Sequence, residues 1–131
     1  MADIYIGLMS GTSADSIDCA ALDLSSEEIK VLSCKNFEIP KDLKEDIIQS
    51  SQSKKIEQDL IDDLDFGMAE VLVDSVKEII SYSSIEVEDI KAIGSHGQTI
   101  KHEPKSENPY TLQIGDPQKI SNDLNITTVG N

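Results

Sequence analysis

Ser10-Gly11-Thr12-Ser13-Ala14-Asp15-Ser16 brings small side chains, hydroxyls, a glycine and a carboxylate together in one short run. Backbone N–H groups and hydroxyls can converge on a phosphate there because no bulky side chain intrudes. An acidic neighbour, Asp15 or Asp18, can orient Mg²⁺, usually through water because magnesium dehydrates reluctantly. A Walker A loop would need a lysine and an ensuing helix, and a GxGxxG turn would also open a helix. Here the chain turns back at once into Ile17, Cys19, Ala20 and Leu22. The expectation is a β-hairpin that grips phosphate; the alternative is an ordinary hairpin with a polar tip.

Two further clusters carry chemistry. His96-Gly97-Gln98 follows an apolar run, so an imidazole and a carboxamide would project from the C-terminal end of a strand, placed to hydrogen-bond a ligand. Gly115-Asp116-Pro117 reads as a turn into a helix, with Asp116 accepting from exposed N–H groups and proline at the first helical position. His102, between Lys101 and Glu103, reads as solvated.

The elements that would position these groups follow from periodicity. Residues 4–9 form an apolar run ending at the small-residue loop, residues 17–24 return, and residues 29–39 offer a third strand with Val31, Leu32, Cys34 and Phe37. Short connections suggest an antiparallel meander. Pro40 opens a short polar helix to about residue 51 with Leu43, Ile47 and Ile48 on one side. A long helix follows, because Leu60, Ile61, Leu64, Met68, Val71, Leu72, Val76, Ile79 and Ile80 recur at spacings of three and four. Strands over 90–95 and 110–114, a helix to about 124 and a last strand over 126–129 complete an order of β-β-β, helix, β, then β-helix-β. The final strand delivers its C-terminal end where α/β proteins usually place chemistry.

The chain has 131 residues, the size of one domain, with 25 acidic residues against 11 lysines and a formal net charge of -14. That charge repels polyphosphate backbones, so nucleic acid is not an expected partner. Without any arginine, an anion must be held by N–H groups, hydroxyls, lysine or metal rather than by a guanidinium fork. Cys19 and Cys34 suggest small core residues in a reducing compartment, not a disulfide framework. No apolar stretch is long enough to span a bilayer, and Met1-Ala2-Asp3 lacks a basic signal region. A cytoplasmic protein is the expectation, without nucleic acid or membrane as partner.

Taken in order and spacing, residues 9–18, 94–102, 111–117 and 126–131 resemble the anhydro-N-acetylmuramic acid kinases, from end to end of the chain. The resemblance implies an α/β, actin-like (ribonuclease H-like) ATPase fold, of which residues 1–131 would be a single partial domain, the N-terminal lobe, with the second lobe absent. It implies an enzyme of peptidoglycan recycling that uses ATP, Mg²⁺ and water to open 1,6-anhydro-N-acetylmuramic acid and yield N-acetylmuramic acid 6-phosphate. Its partners would be ATP and the amino sugar, with a homodimer one expectation for the full-length enzyme.

Carried over residue by residue, Gly11, Thr12, Ser13, Ala14, Asp15, Ser16, Ile17 and Asp18 would form the ATP-binding segment, with Asp18 or Asp15 facing the metal through water. His96, Gly97, Gln98 and Asp116 would face the sugar. Two positions depart from the family pattern. Ser16 stands where glycine is usual, which strains the turn if φ is positive there. Asn131 stands where the family has an aspartate general base, and an amide cannot accept a proton near neutral pH. A non-catalytic module that pairs with a separate second lobe is the competing expectation. An Hsp70-like or actin-like assembly ATPase shares the hairpin but leaves residues 96–98 and 115–117 unexplained.

Overall fold

The computed structural model describes residues 2–11, 14–103, 105, 107 and 110–130. Strands β1 (Ile4–Ser10), β2 (Ser16–Asp23) and β3 (Lys30–Glu38) pair as the expected antiparallel meander. Burial alternates strictly along β1: Ile4, Ile6, Leu8 and Ser10 point inward, and Tyr5, Gly7 and Met9 are exposed. That period of two marks a sheet covered on one face.

Helices α1 (Lys41–Gln52) and α2 (Gln58–Ser83) carry the chain to β4 (Ile90–Ser95), which lies parallel to β1. A parallel neighbour cannot be reached by a tight turn, so a crossover of this kind is required. After β5 (Gln98–Glu103), β6 (Tyr110–Ile114) and α3 (Pro117–Leu124), strand β7 (Thr128–Gly130) adds parallel to β4. The main sheet has the order β3-β2-β1-β4-β7, with β5 and β6 forming a separate antiparallel ribbon. The fold is therefore mixed α/β.

Leu64, Met68, Leu72, Val76 and Ile79 of α2 are buried in one core with Ile4, Ile6, Leu8, Ile17 and Ile93 of the sheet and Ile120 of α3. Each such side chain stabilises by roughly 1.5–3 kcal/mol when fully buried. Packing must hold α2 in place, because Glu57 at its N-cap makes no side-chain capping bond. The opposite sheet face stays open: Met9 is 59% exposed and Val129 64%. Among the described residues no helix is long and apolar enough to cross a membrane.

Several expectations are corrected. Residues 98–103 form strand β5, which the sequence reading missed. Ile100 is its one buried apolar side chain, so a ribbon two strands wide leaves little hydrophobic alternation to read. Leu60, expected in the buried stripe, is 40% exposed, and α2 first reaches the core one turn later at Leu64. Cys34, expected in the core beside Cys19, is exposed because it lies on edge strand β3, opposite Ala20. Ser16 opens β2 and is not among the residues with positive φ, so the strain expected there does not arise.

Candidate active site

Strands β1, β4 and β7 run parallel, so their C-terminal ends emerge at one end of the sheet. Gly11 follows β1, His96 follows β4, and Gly130 closes β7. The topology thus collects segments from distant parts of the sequence into one region, as open α/β sheets do at their ligand sites.

In the β1–β2 loop, the Ala14 N–H donates to the Gly11 carbonyl at 3.2 Å. Ala14 has a φ of 53°, a left-handed setting uncommon outside glycine, and is fully buried. The loop is pinned on its other flank by the Ile39 N–H, which donates to the Asp15 carbonyl. The Asp15 carboxylate forms an ion pair with Lys44 of α1. Asp18 is exposed and accepts from Asn36 Nδ2 at 2.8 Å; the same amide reaches Ser16 Oγ at 2.8 Å. Ile17, expected in the ATP-binding segment, has its side chain fully buried in the core. Its contribution to that segment is packing beneath the loop. Thr12 and Ser13 lie outside the described residues.

At the same end of the sheet is a cavity of about 210 Å³ whose walls include Asp65, Ser95, His96, Gln113, Asp116 and Gly130. Two glycines shape it. Gly97 has a φ of +75°, and a Cβ there would sit 2.6 Å from the Ile114 carbonyl oxygen; Gly115 has a φ of +105°. His96 is exposed at the rim, where Gln113 Nε2 donates to its carbonyl at 2.7 Å and lies 3.3 Å from Nδ1. Asp116 caps α3, accepting from the Gln118 N–H at 2.9 Å while its residue lines the cavity.

Three residues of this wall were missed in the sequence. Asp65, on α2, accepts from the Gly115 N–H at 2.7 Å. Burial pushes its carboxyl above the usual carboxylate range, opposed by the Gly115 hydrogen bond and reinforced by the like charge of Asp116. Ser95 carries a buried hydroxyl with no hydrogen-bond partner among the described residues. Gln113 sets the 96–97 turn. Asp65 gave no signal because a helical stripe reveals what faces the core, not which flanking carboxylate meets a distant turn.

Gln98 is corrected in the other direction. It was expected to face the sugar, yet it is fully buried at the start of β5, with its carboxamide committed to Ser10 and Gly11. A side chain with both ends engaged in the interior presents nothing to the cavity. Asn131 lies outside the described residues. With two carboxylates on its walls, the cavity offers hydrogen-bond acceptors to the O–H and N–H groups of a ligand. Among the described residues no group of three or more His, Cys, Asp and Glu could hold a metal ion.

A sequence model of the anhydro-N-acetylmuramic acid kinases matches residues 3–131. The chain is 34% identical over 127 residues to the anhydro-N-acetylmuramic acid kinase of Vibrio vulnificus (strain CMCP6), covering 97% of this chain and 34% of that one. It is 35% identical over 127 residues to the Vibrio cholerae enzyme of the same name, with 97% and 34% covered. For the Sulfurimonas denitrificans enzyme of that name the identity is 33% over 129 residues, with 98% and 35% covered. The chain spans about a third of the length of the curated relatives it matches. Matched across nearly its whole length, the chain belongs to the anhydro-N-acetylmuramic acid kinase family.

Proposed function

We propose that this chain forms the N-terminal lobe of an actin-like, ATP-dependent kinase of 1,6-anhydro-N-acetylmuramic acid. The enzyme would open the anhydro ring with water and phosphorylate O6, giving N-acetylmuramic acid 6-phosphate in cytoplasmic peptidoglycan recycling. One observation carries the reading: a small-residue loop and a polar cavity open from the ends of neighbouring parallel strands at the same end of the sheet.

In this reading residues 11–18 hold the nucleotide phosphates through backbone N–H groups and the hydroxyls of Thr12 and Ser13. Asp18, exposed beside the loop and hydrogen-bonded to the neutral Asn36 amide, is the better placed carboxylate to face Mg²⁺ through water, since Asp15 is ion-paired with Lys44. A lone carboxylate with no further protein ligands fits a magnesium ion that keeps most of its water. When bound, the ion would neutralise charge on the transferring phosphoryl group. His96, Gly97 and Asp116 face the sugar, and Ser95 and Asp65 join them as wall residues. Gln98 acts behind the loop.

Isothermal titration with MgADP tests the nucleotide half. Saturable binding is expected, weakened several-fold in Thr12→Ala by loss of one hydrogen bond to a charged group. No binding by the wild-type chain would sink it. The open apolar sheet face, where Tyr5, Met9 and Val129 are exposed, favours a second reading. There the chain is a non-catalytic module that pairs with a separate second lobe, and nucleotide binding would be absent while association with that lobe persisted.

A further inference from the structure

The Gln98 side chain has no exposed surface and joins segments 87 residues apart. Its Nε2 donates to the carbonyl oxygens of Gly11 at 2.8 Å and of Thr99 at 3.1 Å, and its Oε1 accepts from the Ser10 hydroxyl. Two residues earlier the His96 N–H donates to the Leu8 carbonyl at 3.1 Å. The turn that borders the cavity is therefore stapled at two points to the last residues of β1, where the phosphate loop begins.

The Gly11 carbonyl is the informative atom. Oxygens carry the negative end of the peptide dipole, so a carbonyl turned toward a phosphate repels it, whereas N–H groups attract it. Here that oxygen receives two donors, Gln98 Nε2 and the Ala14 N–H at 3.2 Å. A fully buried carboxamide is costly to leave half-satisfied, so this clasp disfavours other settings of the loop. Alanine or leucine at position 98 could supply no such donor, and a residue reaching out to the ligand could not supply it from behind.

We infer that Gln98 is a positioning residue: without touching ligand, it holds the Gly11 carbonyl away from the phosphate side and ties the nucleotide loop to the cavity turn. This rests on reading residues 11–18 as the nucleotide segment. The test compares ¹⁵N-labelled wild type with Gln98→Met and Gln98→Leu, which keep roughly the volume but remove the donor, by amide hydrogen exchange and MgADP titration. The Ala14 amide is expected to exchange about tenfold faster in both variants while Ile6, in the middle of β1, keeps its rate. MgADP should bind about tenfold more weakly, the scale of one hydrogen bond to an ordered group.

Unchanged Ala14 exchange would overturn the inference, as would unchanged MgADP affinity in a protein whose loop has loosened. Wild type that binds no MgADP counts against the nucleotide reading itself. Normal wild-type binding with no effect of either substitution counts against Gln98 alone. Should both variants fail to fold, Ser10→Ala removes only the hydroxyl end of the clasp. A smaller change of the same sign in both readouts is then expected, and no change in either overturns the inference.

Discussion

Gly97 shows how a single backbone angle decides what a position tolerates. Its φ of +75° disfavours any side chain, and a Cβ would approach the Ile114 carbonyl oxygen to 2.6 Å. Gly97→Ala is expected to lose on the order of 1–3 kcal/mol from backbone strain alone. Gly7→Ala, whose Cβ would meet nothing within 4 Å, should be neutral or gain roughly 0.4–1 kcal/mol. Urea denaturation of the two variants separates them, and equal losses would contradict the assignment. At Asp65 the folded state holds a proton more tightly than the unfolded chain, because burial raises its carboxyl. Its contribution favours folding at low pH and fades as pH rises through the raised value. Asp65→Asn keeps an acceptor for Gly115, so its stability relative to wild type should climb with pH from the ordinary carboxylate range toward neutrality. Parallel curves would exclude that cause. Burial also pushes the Cys19 thiol up to about 12, whereas Cys34 is exposed. A thiol reagent should therefore titrate Cys34 in the native protein and both cysteines in denaturant; rapid native labelling of Cys19 would show that β2 is less closed than described.

At the scale of elements, the strongest signals were those that one face of one element could carry. The stripe from Leu64 to Ile79 announced α2, and the apolar run from Ile4 to Met9 announced β1, of which Ile4, Ile6 and Leu8 pack against the core. Strand β5 escaped because Ile100 is its only buried apolar residue. Of the site, the small-residue loop and the turns at 96–97 and 115–117 were legible as local chemistry. Gln98 and Asp65 were not, since their roles are set by partners 87 and 50 residues away. Asp116 was legible as a cap, and the structure bears that out. Asp116→Ala should cost about 1 kcal/mol in thermal or urea denaturation, and Asp116→Asn, which retains the capping oxygen, much less. Equal losses in both would mean that the carboxylate charge, not the cap, matters at this position.

At the scale of the whole molecule, phosphoryl transfer depends on groups that surround the phosphates, and under the proposed function the described sheet end would present them from one side. The purified 131-residue chain is accordingly expected to show no ATP-dependent phosphorylation of 1,6-anhydro-N-acetylmuramic acid, although the proposed function has it bind nucleotide. Detecting the 6-phosphate product would contradict this. The central claim is narrower than turnover: the β1–β2 loop is the phosphate grip of a kinase lobe. Titrating MgADP into ¹⁵N-labelled protein and following every amide tests it most directly. Saturable shifts concentrated at Gly11, Ala14, Asp15 and Ser16, fading toward β3, are the expected result. Shifts absent at saturating MgADP, or clustered away from that loop, would contradict it.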